Sequence, residues 1–591
     1  MGNQRLRENA SVNPSTALAT VLVDELIRQG VRDFVVCPGS RSAPLAYAAL
    51  AAEQAGRARL HVRVDERSAA FLALGLAKVS RQPAAVITTS GTAVANLHPA
   101  VLEASHGNVP LLLLTADRPA EQRGSGANQT TDQVKIFGGM TRWFHEFSAA
   151  GRRPGQQGQW RSVIGRAVAE SCGHPSGDPG PVHLNVSFRE PLTPDTDPAG
   201  WSESLDGRPH GEAWLSLRSP VRHEAAGAGP GIAPVPRTLL VLGSLADPAR
   251  AGEITELADV AGWPIIAEPA GLFRRARVTP HGPLLLSATD WLEANLPERV
   301  LVAGSVTLDR RVLALLSRPE VTVEVVTALT SWADPVHAVH RVHDWADIQR
   351  SHRVVAGCVD RAWASRWRAA GAVVAATAGP IVEASWPSGP AVARTVANNL
   401  PEQALLFVGA SSAVRDLDIS REPARIAKGV VTVGNRGLAG IDGSVSSAIG
   451  AALSQPDRPA YALMGDLTFL HDTNGLLIGP NEPLPDLTIV VVNDDGGAIF
   501  STLEVGAPEY AGSFERIFGT ATGADIAGVC AAHHVAHRMV DTAADLADAI
   551  KATPQGLTVL EVRVPRTDAR RLRRDLAAAV ETALTADSAG Q

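Results

Sequence analysis

The chain has 591 residues, more than one hydrophobic core can serve, and its apolar content of 45% is that of a globular protein of roughly three or four domains. A net charge of −7 argues against general nucleic-acid affinity, and no apolar stretch reaches bilayer length. Cys37, Cys172, Cys358 and Cys530 are scattered without a Cys-x-x-Cys pair, which excludes a disulfide frame or zinc site and reads as reduced thiols. Residues 1–15 are polar with no signal-peptide core, so the expected compartment is the cytoplasm.

In chain order, 13–30 has helical spacing and 34–37 is a strand ending at Pro38-Gly-Ser40-Arg41-Ser42. A helix over 45–54, a strand over 61–64 and the loop Asp65-Glu66-Arg67-Ser68 follow, then a helix over 69–79. The strand 84–88, the loop Thr89-Ser-Gly-Thr92, a helix over 93–105 and a strand over 110–114 continue the alternation, and 181–186 reads as the last strand of this unit. Strands alternating with helices specify a doubly wound parallel sheet. An Ala/Gly/Pro-rich stretch over 219–236 reads as linker.

A second α/β unit begins at 238–242, with strands near 264–267, 300–303 and 321–326 and no chemical motif in its loops; Arg274, Arg275 and Arg277 are its one candidate anion site. A second join is expected at 374–389, and 405–408 opens a third unit. The boundaries read from this pass are 12–195, a linker over 196–236, 237–375, 388–567, and a C-terminal helix and tail over 568–591. The tail, opening on Arg570-Arg-Leu-Arg-Arg574, reads as an exposed amphipathic helix.

Two short apolar runs in the third unit each stop at Gly and acidic residues, one at Gly465-Asp466-Leu467-Thr468 and the other at Asn493-Asp494-Asp495-Gly496. With a crossover between them they form a βαβ unit, so both loops emerge where open parallel sheets bind ligands. Two carboxylates and a glycine carbonyl suit octahedral Mg²⁺, and the Leu467 and Thr468 amides at a helix start suit a phosphate. The stretch around Ala73-Leu-Gly75 echoes that around Ala448-Ile-Gly450, so the first and third units look like variants of one fold.

Several segments carry a resemblance: Pro38-Gly-Ser-Arg-Ser-Ala-Pro-Leu45, Asp65-Glu-Arg-Ser68, Thr89-Ser-Gly-Thr-Ala-Val-Ala-Asn96, Leu114-Thr-Ala-Asp-Arg-Pro119, Gly126-Ala-Asn-Gln129, Phe188-Arg-Glu-Pro-Leu192, Asn435-Arg-Gly-Leu-Ala-Gly-Ile-Asp-Gly443 and Gly465-Asp-Leu467. Through them the chain resembles the thiamine diphosphate-dependent 2-succinyl-5-enolpyruvyl-6-hydroxy-3-cyclohexene-1-carboxylate synthases of menaquinone biosynthesis. The resemblance implies three doubly wound domains, the first gripping the aminopyrimidine and the third holding the diphosphate and Mg²⁺ through Asp466, Asp494 and the Gly496 carbonyl. Gly465, Leu467 and Thr468 would line the cofactor. Glu66 matches the glutamate that hydrogen-bonds the pyrimidine, and Ile441, core by pattern alone, matches the apolar prop that bends the cofactor.

The implied substrates are 2-oxoglutarate and isochorismate, whose carboxylates call for arginine forks. By resemblance Ser411 and Arg415 hold the succinyl carboxylate, and Arg41, Asn128, Gln129 and Arg436 serve isochorismate, with Ser40 and Arg118 beside them. The implied reaction is decarboxylation of 2-oxoglutarate and addition of the succinyl carbanion to isochorismate, in a homodimer or dimer of dimers whose active sites are shared between chains. This sequence departs from the pattern at Asp494 and Ala410, where Asn is expected, and at His98, where Tyr is expected and packing is the plainer role. The alternative is another thiamine diphosphate-dependent 2-oxoacid decarboxylase or carboligase, against which the arginine loops and Gly126-Ala-Asn-Gln129 argue. A non-catalytic regulator of the same fold has no need of Glu66 with Asp466, and a nucleotide-binding protein would show a Gly-rich phosphate loop that is absent here.

Overall fold

Runs of Val, Ile, Leu and Ala bounded by Gly, Ser and Pro form strands buried on both faces, as all-parallel sheets require. A computed structural model describes residues 12–195, 197, 201, 203–216, 231–271 and 278–590, except the side chains of 588–590. Arg274, Arg275 and Arg277 and residues 217–230 of the linker lie outside the described residues.

The first sheet comprises β1 (Asp33–Val36), β2 (Arg59–Val62), β3 (Ala84–Thr88), β4 (Leu111–Asp117), β5 (Trp143–Phe147) and β6 (Pro181–Ser187), in the order β2-β1-β3-β4-β6-β5. The central sheet holds β7 (Thr238–Leu242), β8 (Ile265–Ala267), β9 (Arg299–Ala303), β10 (Thr322–Thr327) and β11 (Val339–Asp344), ordered β11-β10-β9-β7-β8. The third sheet contains β12 (Leu405–Val408), β13 (Val431–Val433), β14 (Ala460–Gly465), β15 (Leu487–Asn493), β16 (Ala536–Met539) and β17 (Leu557–Arg563), ordered β13-β12-β14-β15-β17-β16. Neighbouring strands in all three sheets run parallel. The first and third sheets therefore share one strand order, and the echo around Gly75 and Gly450 reflects a repeated topology.

Those two stretches are helices packed against each other, Glu66–Ser80 and Ser444–Ser454. A Cβ on Gly75 would sit 2.1 Å from the Ser447 carbonyl oxygen, and one on Gly450 would sit 2.2 Å from that of Leu72. The contacts are reciprocal, because Gly75 corresponds to Gly450 and Leu72 to Ser447. Glycine lets the helix backbones touch, and one apolar core containing Phe71, Leu74, Ile449 and Phe469 runs through both domains.

Three expectations are corrected. The supposed join over 374–389 is mostly the end of a 24-residue helix, Arg361–Ala384, whose Trp363, Trp367, Ala370, Val374, Ala378 and Val382 form a buried stripe at helical spacing. The C-terminal helix Ala569–Gly590 is amphipathic, but Leu576, Val580 and Leu584 are buried against that stripe, so its apolar face is covered. Helix Glu66–Ser80 starts three residues earlier than expected, because Asp65 caps it by accepting from the Arg67 and Ser68 amides. Among the described residues no helix is long and apolar enough to cross a membrane.

Candidate functional site

Asp466 and Asp494 stand at the C-terminal ends of the neighbouring strands β14 and β15. Asp466 is buried at the start of helix Asp466–His471, and its Oδ2 accepts from the Gly496 amide at 2.8 Å. Gly496 takes φ +146°, and a Cβ there would lie 2.0 Å from the Gly519 carbonyl oxygen, so this turn accepts only glycine. Arg566 fixes the same turn from the other side, its Nη1 donating to the Asp495 carbonyl at 2.5 Å.

Burial pushes the Asp466 carboxyl up to about 6, and burial together with the neighbouring Asp466 charge pushes Asp494 up to about 7. Asp466 is buried and Asp494 half-buried, and two carboxylates that resist ionising side by side are the environment a divalent cation relieves. A Cβ on Gly465 would meet only the Val492 carbonyl, 4.0 Å away, so this residue leaves space open beside them. Gly465 and Asp494 line a cavity of about 50 Å³ with Ser388, Gly389, Ser412 and Arg566. Leu467 and Thr468 lie in the first turn of helix Asp466–His471, as a phosphate contact needs. Two carboxylates, a glycine turn and first-turn amides fit a magnesium diphosphate. Among the described residues no three His, Cys, Asp or Glu side chains converge, so a metal here would take its remaining ligands from backbone, cofactor and water.

Ser411, at φ +70°, starts the helix Ser412–Ser420, and its carbonyl accepts from Arg415 Nη1 at 2.8 Å. Arg436 is buried in the loop after β13 and donates from Nη2 to Thr307 Oγ1 at 2.5 Å. Burial and the Arg436 charge both make Arg415 harder to hold as a cation, an arrangement that favours an anion between them. Ile441 is half-buried and belongs to none of the apolar cores, contrary to its reading as core by pattern.

On the first sheet, loops after β1, β3, β4 and β6 gather Arg41, Ser90, Arg118 and Gln129. Arg118 Nη1 donates to Ser90 Oγ at 2.7 Å and to the Gln129 carbonyl at 2.6 Å, and Gln129 Nε2 donates to the Ser90 carbonyl at 3.0 Å. Arg41 donates to the Phe188 carbonyl and to Glu190 Oε1, both at 3.0 Å. Ser40 and Asn128 are exposed at the rim. His98 packs edge-on against Phe137, with ring centroids 5.6 Å apart.

Glu66 is the first residue of its helix and half-buried. Its neighbours bind the far end of the Asp466 helix in the same chain: Asn474 Nδ2 donates to Asp65 Oδ2 at 2.7 Å, Arg67 Nη2 to the His471 carbonyl at 2.8 Å, and Ser68 Oγ to Asp472 Oδ1 at 3.2 Å. That end is about 8 Å along the helix axis from Asp466. Among the described residues no hydrogen bond or ion pair joins Glu66, Arg41 or Arg118 to Asp466 or Asp494.

Motif reading passed over Thr307 and Glu103, which contact the Arg436 loop from the other two domains, Glu268, which holds the Thr307 loop, and Arg566, which contacts the Gly496 turn. These are single residues far apart in sequence, and only their convergence marks them. A cavity of about 1180 Å³ lies where the first and central domains meet the Arg436 loop, lined by Lys78, Arg81, Asp247, Trp332 and Arg436 among others. Its residues do not include the Asp466–Asp494 pair, and the paired carboxylates define the chemistry better than cavity size does.

The N-terminal thiamine pyrophosphate enzyme domain, which binds thiamine pyrophosphate, matches residues 16–136, and the corresponding C-terminal domain matches 423–562. Curated relatives named 2-succinyl-5-enolpyruvyl-6-hydroxy-3-cyclohexene-1-carboxylate synthase include that of Saccharopolyspora erythraea, 45% identical over 97% of this chain and 100% of the relative. Those of Kineococcus radiotolerans, 46% identical, and Thermobifida fusca, 45% identical, cover the same shares. Full-length similarity at this level, on a fold with two thiamine-enzyme domains and a carboxylate pair at adjacent strand ends, shows that the chain belongs to the 2-succinyl-5-enolpyruvyl-6-hydroxy-3-cyclohexene-1-carboxylate synthase family of thiamine diphosphate enzymes.

Proposed function

We propose that the chain decarboxylates 2-oxoglutarate and adds the resulting succinyl unit to isochorismate, as a cytoplasmic step of menaquinone biosynthesis. The observation that carries this reading is the pairing of buried Asp466 with half-buried Asp494 at adjacent strand ends, with half-buried Arg415 and buried Arg436 in loops of the same sheet. Thiamine diphosphate, held with Mg²⁺ in this family, supplies the electron sink that takes up the pair left by departing carbon dioxide. Asp466, Asp494 and the Gly496 carbonyl hold the metal, with Gly465, Leu467 and Thr468 at the diphosphate. Ile441 shapes the cofactor. Glu66 holds a proton at the pyrimidine and so controls its tautomer.

Arg415 and Ser411 take the succinyl carboxylate, while Arg41, Arg118, Asn128, Gln129, Ser40 and Arg436 receive isochorismate. Because Glu66 lies at the wrong end of the Asp466 helix within one chain, a complete site uses Glu66 of one chain with Asp466 of a second. Val64, Leu438 and Leu477 support this pairing: each is a large apolar side chain left exposed beside a site loop.

The reading is tested by incubating the protein with thiamine diphosphate, Mg²⁺, 2-oxoglutarate and isochorismate and identifying the product by mass. The ligated product should form only when both substrates are present. A decarboxylated aldehyde formed equally well without isochorismate would replace this reading with a plain 2-oxoacid decarboxylase. Glu66→Gln should retain cofactor yet slow hydrogen–deuterium exchange at C2 of the bound thiazolium by orders of magnitude; unchanged exchange would remove Glu66 from the mechanism.

A further inference from the structure

The central domain has no sequence motif, yet it reaches Arg436. Thr307, in the loop after β9, accepts from Arg436 Nη2 at 2.5 Å. That loop is itself held, because Glu268 Oε1 accepts from the Thr307 and Leu308 amides at 2.6 and 2.8 Å. From the first domain, Glu103 accepts from the Gly437 and Leu438 amides, both at 2.8 Å, and Lys78 donates to the Gly434 carbonyl at 3.0 Å. Gly437 permits this approach, since a Cβ there would lie 2.6 Å from the Glu103 carbonyl oxygen. The Arg436 loop is thus gripped by both other domains. Arg436 is only 7% exposed, and among the described residues its Nε and Nη1 have no hydrogen-bond partner. Buried N–H donors without partners are costly unless a ligand answers them, and a carboxylate is the group that best does.

We propose that Thr307, held by Glu268, is a positioning residue for Arg436: it takes up one amino group and fixes the guanidinium so that the remaining donors meet a carboxylate of the acceptor substrate. This rests on reading Arg436 as an acceptor-binding residue. It gives the central domain a part in selecting the second substrate, beyond spacing its neighbours.

The test uses full-length Thr307→Val, Thr307→Ser and Arg436→Ala with thiamine diphosphate and Mg²⁺. KM is measured separately for 2-oxoglutarate and isochorismate, with single-turnover decarboxylation of 2-oxoglutarate alone. Thr307→Val should raise KM for isochorismate about tenfold, the loss expected for a hydrogen bond to a charged group. Its KM for 2-oxoglutarate and its single-turnover rate should stay within about twofold of wild type, and Thr307→Ser should recover most of the loss. Thr307→Val at wild-type KM for isochorismate, while Arg436→Ala raises it, would overturn the proposal and leave the reading of Arg436 standing. Equal damage to both substrates, or no rescue by serine, would make Thr307 a loop-folding residue and also overturn it. Arg436→Ala with unchanged KM for isochorismate would overturn both.

Discussion

Asp466 and Asp494 show how a residue's chemistry is set by where the chain puts it. Both carboxyls sit well above their ordinary value of 3.8, at about 6 and about 7. Because the folded-state values are raised, the metal-free protein holds more protons than its unfolded chain between roughly pH 4 and 7. Its stability from these two groups therefore falls as pH rises through that window. On the proposed reading Mg²⁺ with thiamine diphosphate binds the ionised pair, so the stabilisation it brings should grow between about pH 5.5 and 8. Thermal midpoints with and without both ligands at those pH values check this, and a ligand-induced shift larger at the acid end would contradict it.

The arginines divide at the same scale. Arg415→Ala should weaken use of 2-oxoglutarate by roughly 2–5 kcal/mol, as for one partner of a desolvated charge pair. Arg41→Ala should spare single-turnover decarboxylation and harm the addition. Equal damage in both variants would contradict the assignment. The types of these residues were legible in the sequence, since an acid or arginine after an apolar run marks a ligand face. Their partners were not. Thr307 and Glu268 come from a domain with no motif, and no local pattern ties them to Arg436.

Among the structural elements, the reciprocal glycine contact makes the sharpest demand. Gly450→Ala places a Cβ 2.2 Å from the Leu72 carbonyl oxygen and 2.9 Å from the Leu76 amide, neither of which can move without its helix. The expected cost is roughly 1–3 kcal/mol of overpacking, read as a lower urea midpoint at unchanged slope. Gly139→Ala, whose Cβ meets nothing within 4 Å, should lie within about 0.5 kcal/mol of wild type. Equal midpoints for the two variants would mean the helices are not in the contact described.

The elements missed by sequence reading have a common cause. β5, β11, β13 and β16 are edge strands, solvated on one side, and β5, β11 and β16 carry polar residues such as His145, Arg341 and Arg538 that break the apolar run used as the strand signal. Interior strands such as β3, buried throughout, were placed to the residue. The one interior strand missed, β17, carries the buried Glu561, which accepts from Asn493 and His537. The helix Arg361–Ala384 was mistaken for a join because its Ala and Gly content resembles a linker, although its tryptophan stripe has helical spacing.

At the scale of the whole molecule, two domains of equal strand order pack through equivalent helices, and on the proposed reading each carries half of the chemistry. The first holds Glu66, Arg41 and Arg118; the third holds Asp466, Asp494 and Arg415. Within one chain the Glu66 segment meets the C-terminal end of the Asp466 helix, so the account requires a second chain to bring a Glu66 to its N-terminal end. The most direct test mixes two inactive proteins, Glu66→Gln and Asp466→Ala, under conditions that exchange subunits. In a mixed dimer one site collects both defects and the other is wild type. Random mixing makes about half of the dimers mixed, so about a quarter of wild-type activity should return. No recovery, with exchange confirmed by mass, would mean that Glu66 and Asp466 serve one site from one chain, and the two-chain account would be wrong.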